Sequence, residues 1–350
     1  MKKSPAHCQG TKTPAPLSDV FAANEEDKAF FQRELASFVP RRIFDAHCHL
    51  WSDEFSCGAH GRKILPACFQ GVAMGYNEYR RLIDCLHPGR ELAGHFMPEI
   101  CPEHSLHESE WIARQVACDP QSRGSFLVRP DDDPEWVCGE VRRLGLSGLK
   151  CYHVLAKRTP TWEADIPDYL PERIVAVADR EKWTITLHMV KAHAVADPVN
   201  QHWIRHYCGR YPGIKLILAH AARGFQPEHN FRGLPALAGL DNLYFDSSAN
   251  CEPMALAAII RIMGVRKLLY GSDFHVSHYR GRSVAVADSF IWLYQDKPVW
   301  GEKHLQVHPV LVGLEHLRAL KWACWSERLS DADVVAIFRG NAAELWGIDA

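Results

Sequence analysis

What most constrains the fold of this chain is an alternation. Eight short apolar, β-prone runs are separated by segments with helical spacing. The runs are Ile43 to His49, Leu92 to Glu99, Ser125 to Arg129, Gly148 to Tyr152, Thr184 to Met189, Lys215 to His220, Leu243 to Ser247 and Lys267 to Asp273. Helical spacing marks Asn77 to Leu86, Ser109 to Ala117, Glu135 to Leu144, Glu172 to Lys182, Asn200 to Gly209 and Pro253 to Met263. Pro134 and Pro171 sit near a first helical turn, where a missing N–H costs little. Strands alternating with crossover helices imply a parallel sheet, and eight of them predict closure into a (β/α)8 TIM barrel of the α/β class.

Four of the runs end in metal-binding side chains: Asp45-Ala46-His47-Cys48-His49, Thr186-Leu187-His188, Leu218-Ala219-His220 and Gly271-Ser272-Asp273. The carboxyl ends of barrel strands converge on one face, so residues 226 positions apart (273 minus 47) can touch one ion. Alternation along a strand points His47 and His49 the same way, into the barrel mouth. Asp45 lies on that face one step deeper, as a weak ligand or a partner fixing a histidine tautomer. His47, His49, His188 and Asp273 make an N3O set that suits Zn²⁺, with Mn²⁺ or Fe²⁺ as alternatives, and leave one position open as catalytic sites do. A single histidine is more often a hydrogen-bonded core residue, and Asp273 alone would serve as a helix cap. It is their joint placement at strand ends that argues for a metal.

The composition, 47% hydrophobic and 23% charged over 350 residues, is that of a globular protein with a large core. A net charge of -2 with interspersed signs argues against a nucleic-acid surface. The start, Met-Lys-Lys-Ser-Pro, lacks the apolar stretch of a secretory signal, and no run of 18 apolar residues offers a membrane span. Twelve scattered cysteines without a Cys-x-x-Cys pair fit free thiols in a reducing compartment. A soluble, cytoplasmic protein acting on a small molecule is the expectation.

Residues 1–40 are expected to form an extension, with a helical stretch from Glu25 to Phe38, and residues 41–350 a single catalytic domain. That domain ends in two amphipathic helices, Val310 to Ser326 and Asp331 to Trp346. Residues 50–76 and 274–309 exceed ordinary connections and are expected to supply a lid and specificity elements. The N-terminal extension and the C-terminal helices bearing Trp322, Trp325 and Trp346 offer apolar surface for a homodimer, with core packing an equal account.

At these residues the chain resembles the amidohydrolase superfamily, in the amidohydrolase-related branch that includes aminocarboxymuconate-semialdehyde decarboxylase. The motifs are Phe44-Asp45-Ala46-His47-Cys48-His49, Thr186-Leu187-His188, Leu218 to Gly224, Tyr270-Gly271-Ser272-Asp273 and Phe338 to Ala343. The resemblance implies one divalent metal on His47, His49, His188 and Asp273, with His220 catalytic beside it. It also raises the alternative of two ions bridged by a carboxylated Lys150, although a substrate-binding or salt-bridged lysine is favoured. Arg223 is a candidate to grip a substrate carboxylate, because a guanidinium binds carboxylates bidentately, and a loop salt bridge is its alternative. His275 is a further pocket candidate, and His278, Arg280 and Arg282 would add positive charge. The expected reaction is hydrolysis of an amide, ester or lactone, with Asp273 also passing protons. Decarboxylation or hydration of a carboxylated ring compound is the alternative, and a non-enzymatic metal-binding protein the minor one.

Overall fold

The computed structural model describes residues 21–53, 72–100, 104–295 and 308–349. Eight parallel strands stand in sequential order: β1 (Arg42–Leu50), β2 (Glu91–Pro98), β3 (Arg123–Leu127), β4 (Gly148–Tyr152), β5 (Thr184–His188), β6 (Lys215–Leu218), β7 (Leu243–Asp246) and β8 (Leu268–Leu269). The last strand returns to the first through three backbone bonds. Ala46 N donates to Tyr270 O at 2.8 Å, His49 N to Phe274 O at 2.9 Å and Asp273 N to His47 O at 2.8 Å. The (β/α)8 barrel is thereby closed in the segment that carries Asp273. Tyr152 and His188 are register partners across β4 and β5, so their side chains start at the same barrel level.

The crossover helices lie where their spacing predicts, at Tyr76–Ile83, Ser105–Val116, Pro134–Arg143, Glu172–Glu181, Pro198–Arg210 and Pro253–Met263. Asp133 and Asp197 cap two of them by accepting from first-turn amides, with proline next in line.

Two strands are shorter than their apolar runs by two or more residues. β6 stops at Leu218 because His220, Ala221, Ala222 and Arg223 all adopt left-handed backbone, φ 54 to 58°. Each such non-glycine residue costs about 1–2 kcal/mol, so this turn is sustained by its surroundings. Asn230 Nδ2 holds Ala221 O at 3.0 Å, and Asp246 Oδ1 accepts from His220 N at 2.9 Å. β8 is only two residues long, and Asp273 beyond it is also left-handed at φ 57°. Gly271 lies so close to β1 that a Cβ there would meet the Cβ of His47 at 2.8 Å.

The segment before the barrel packs onto it. Asn24 and Asp27 form a reciprocal cap on Glu25–Phe30, and Phe21, Phe30, Phe31 and Leu35 are buried. Asp27, itself buried, pairs with Arg280 at 2.6 Å and accepts from Leu311 N at 3.2 Å. At the other terminus Trp346 packs beneath the barrel on Phe44 and His95, with ring centroids 5.2 and 4.7 Å away. Trp346 is therefore partly buried against the core, whereas Trp322 and Trp325 are exposed.

The lid expected over 50–76 falls largely on residues 54–71, outside the described residues. The second long segment contains an antiparallel hairpin, β9 (Gly281–Val286) and β10 (Ser289–Tyr294), instead of irregular chain. Its turn, Ala287-Asp288, lacks the Asn-Gly signature of a two-residue hairpin, so the sequence carries no strong signal for it.

Candidate metal centre

The carboxyl ends of β1, β5, β6, β7 and β8 bring the expected side chains to one buried mouth. His47 Nε2 and His49 Nε2 stand 3.1 Å apart, and Asp273 Oδ1 lies 3.6 Å from each. These three form one cluster of potential ligands.

The protonation of both rings follows from what lies behind them. His47 Nδ1 is 2.8 Å from Asp246 Oδ2, and His49 Nδ1 is 3.3 Å from Pro98 O. A carboxylate and a carbonyl only accept, so each Nδ1 carries the proton and each Nε2 presents a lone pair. Burial favours these neutral forms, holding His49 at about 4 and His47 well below the ordinary 6.5. Two lone pairs facing at 3.1 Å beside a carboxylate repel one another, and a divalent cation turns that repulsion into coordination. The residues present fit a metal ion.

His220 emerges from the left-handed turn and lies beside this cluster. Its Nδ1 is 3.2 Å from the Ser248 carbonyl, 2.9 Å from Ser248 Oγ and 3.8 Å from Asp273 Oδ2. Ser248 Oγ in turn donates to Asp246 Oδ1 at 2.5 Å. Nδ1 is therefore the donor and Nε2 stays basic, with burial lowering the ring to about 4. His188 is farther out, its ring centroid 5.0 Å from that of His220, and it is not part of the His47, His49 and Asp273 cluster.

Asp45 meets the backbone of His47, and the carboxylate on the His47 ring is Asp246. The Asp45 carboxylate accepts from Ser272 N at 2.7 Å, Ser272 Oγ at 2.5 Å, Tyr79 OH at 2.8 Å and His47 N at 3.2 Å, binding β1 to the segment after β8. Burial pushes it up to about 6 against those donors. Asp246 does the work expected of Asp45. It too ends an apolar strand, the signal that singled out Asp273, and that signal would have found it.

Glu99, just past β2, was also not singled out by sequence reasoning. Its Oε2 is 3.7 Å from His49 Nδ1 and 3.7 Å from His275 Nε2. Burial opposes its ionisation, but His49 and His275 outweigh that and hold it at about 2. His275 is fully buried and faces this carboxylate, with Tyr279 OH 2.8 Å from its Nδ1.

Lys150 is completely buried on β4, and its Nζ has no hydrogen-bond partner and lies 4.7 Å over the Tyr152 ring. The salt-bridged alternative is thus not realised. Burial lowers its pKa, with Asp246 and Asp273 pulling the other way. Arg223 donates to Lys191 O at 2.9 Å, and its guanidinium sits 5.5 Å over Phe290. Among the described residues it meets no carboxylate, so its charge is available. The remaining basic candidates point elsewhere. Arg280 is taken by Asp27, His278 by Leu82 O at 3.1 Å, and Arg282 by Cys251 O at 2.9 Å.

Among solved structures, an amidohydrolase from Burkholderia multivorans with bound zinc is similar at 15% identity, with a TM-score of 0.58, covering 88% of this chain and 99% of that one. A probable 2-pyrone-4,6-dicarboxylic acid hydrolase from Acinetobacter baumannii gives 13% identity and a TM-score of 0.56, over 87% and 99% of the two chains. The 5-carboxyvanillate decarboxylase of Sphingomonas paucimobilis gives 12% and 0.55, over 89% and 100%. These likenesses establish the barrel. No curated protein matches the sequence. Among the described residues no helix is long and apolar enough to cross a membrane. The amidohydrolase family pattern matches residues 44–348, nearly the whole described barrel, and the chain belongs to that family.

Proposed function

We propose that this protein is a metal-dependent hydrolase that opens an amide, ester or lactone in a small, carboxylate-bearing substrate. The observation that carries the reading is the pair of lone pairs on His47 and His49, locked face to face beside Asp273. These residues would hold one divalent ion, Zn²⁺ being the best match to an N/O set, with His188 joining from the rim. When bound, such an ion lowers the pKa of water towards roughly 7 and polarises a carbonyl.

The chain's own groups supply the rest. Asp273, with Oδ1 3.6 Å from Nε2 of both His47 and His49, would accept a proton from the attacking water. His220 keeps Nε2 open for a proton moving between water and leaving group, and Ser248 fixes that tautomer. Arg223 grips the substrate carboxylate. Burial works against a charge on Lys150, and the nearby Asp246 and Asp273 favour it. One ion is favoured over two, because the facing lone pairs and Asp273 converge on one point.

Decarboxylation of a carboxylated ring is the second reading. It is favoured by the likeness to the carboxyvanillate enzyme, since the same donors would bind substrate oxygens. The metal-loaded protein should be screened against lactones, N-acyl amino acids and hydroxybenzoates while carbon dioxide is monitored. Ring opening or deacylation without gas is expected. Carbon dioxide release with no hydrolysis overturns the first reading.

A further inference from the structure

We propose a second divalent-cation site of the Zn²⁺ class, remote from the barrel mouth, at the tip of the β9–β10 hairpin. It consists of His193, His229 and Asp288. His193 Nε2 is 2.8 Å from Asp288 Oδ2, and His229 Nε2 is 3.1 Å from Asp288 Oδ1. One donor atom from each of the three lies within 4.8 Å of the others. A tetrahedral Zn²⁺ with ligands at about 2.0–2.2 Å spaces its donors roughly 3.3–3.6 Å apart, so small side-chain shifts, with the Nε2 protons that now face Asp288 moved to Nδ1, convert these contacts into coordination. Two imidazoles and one carboxylate are a borderline N/O set, and three protein donors leave a fourth position for water.

The placement gives the site a consequence. His193 opens the short helical turn after β5, His229 lies in the helix Pro227–Gly233 after β6, and Asp288 sits in the hairpin turn. Three segments separate in sequence thus converge on one point. His229 is buried, so its ring is held in place before any ion arrives. Asp288 is delivered at a cost, because Ala287 beside it is left-handed at φ 48°, a conformation usually given to glycine or asparagine. Gln226 Nε2 also holds Ala287 O, at 2.5 Å.

The hairpin that this site fastens is a wall of the pocket. Phe290 stacks on Phe225 with centroids 4.5 Å apart, and Phe225 stacks on His220 at 5.8 Å. An ion at the tip would clamp that aromatic wall over the catalytic mouth. The site is independent of the hydrolase reading, because it uses none of the mouth's donors.

The test is zinc titration against a chromophoric chelator. The full chain carrying His47→Ala and Asp273→Ala, which lacks the mouth site, should retain one zinc equivalent. Adding Asp288→Ala should weaken that equivalent more than about 100-fold, since losing even an outer partner of a ligand costs about 10- to 100-fold. Asp288 is largely exposed, so its replacement leaves the core intact. His193→Ala in the same background provides a second, independent arm. Zinc should also raise the melting temperature of the background protein and not of the Asp288→Ala version. If the background protein binds no zinc, or binds it equally with and without Asp288, the site does not exist. Failure of the mouth reading looks different, because wild type and His47→Ala would then show the same stoichiometry while the Asp288 effect persists.

Discussion

Replacing His316 by phenylalanine should make this protein less sensitive to acid. His316 lies in the helix Val312–Ser326, fully buried, with its ring stacked on Tyr270 at 5.7 Å and 8° between planes. Neither ring nitrogen has a hydrogen-bond partner. Burial lowers its pKa from 6.5 to about 3, with only a minor opposing pull from Asp246. The folded state thus refuses a proton that the unfolded chain accepts. Stability is intact above pH 6.5 and is lost as pH falls from 6.5 towards 3, at about 1.4 kcal/mol per pH unit. Between pH 7.5 and 5.5 the unfolded imidazole goes from about one-tenth to nine-tenths protonated, so His316 removes about 1.4 kcal/mol. For 350 residues that is about 2 °C in melting temperature.

His316→Phe keeps the stacked plane and cannot take up the proton. Its effect at neutral pH mixes relief of about 1–3 kcal/mol from two unpaired nitrogens with the strain of a slightly larger ring. The difference between the two pH values is free of both. Thermal or denaturant unfolding of wild type and variant at pH 7.5 and 5.5 should show the variant gaining about 1.4 kcal/mol more at the lower value. An equal shift at both values would refute the assignment of a neutral, unpaired imidazole.

Asp246→Asn should turn an amide N–H towards His47 Nδ1 and force the proton onto Nε2, where the ion would sit. Metal affinity is expected to drop about 10- to 100-fold in a chelator competition, and an unchanged affinity would sink the tautomer argument. Arg223→Met should raise KM for a carboxylate-bearing substrate about 10- to 100-fold, the equivalent of a charged hydrogen bond worth about 1.5–3 kcal/mol. The same loss with an uncharged analogue would show that Arg223 only supports the turn. Chelator treatment should abolish turnover and added Zn²⁺ restore it, and activity that survives exhaustive chelation would remove the basis of the proposed reaction.

The sequence by itself determined the barrel and named His47, His49 and Asp273, which cluster at its mouth. Apolar runs of period two and helical runs of period 3.6 record burial locally, and His47, His49 and Asp273 advertise themselves by standing at strand ends. Their partners were not legible, because a hydrogen bond across the barrel joins residues hundreds of positions apart. Asp45 and Asp246 illustrate this. Both are carboxylates on apolar strands, but one is consumed by Tyr79 and Ser272, while the other reaches the ring of His47. Arg280 and Arg223 illustrate it again, one neutralised by a buried aspartate from the N-terminal segment and the other left with its charge. Backbone handedness was equally hidden, since four left-handed residues from His220 to Arg223 follow no glycine pattern and persist only because Asn230 and Asp246 hold them. Local chemistry therefore named three of the clustered side chains. Only tertiary contacts decided which nitrogen carries the proton, which carboxylate is free, and where the lone pairs meet.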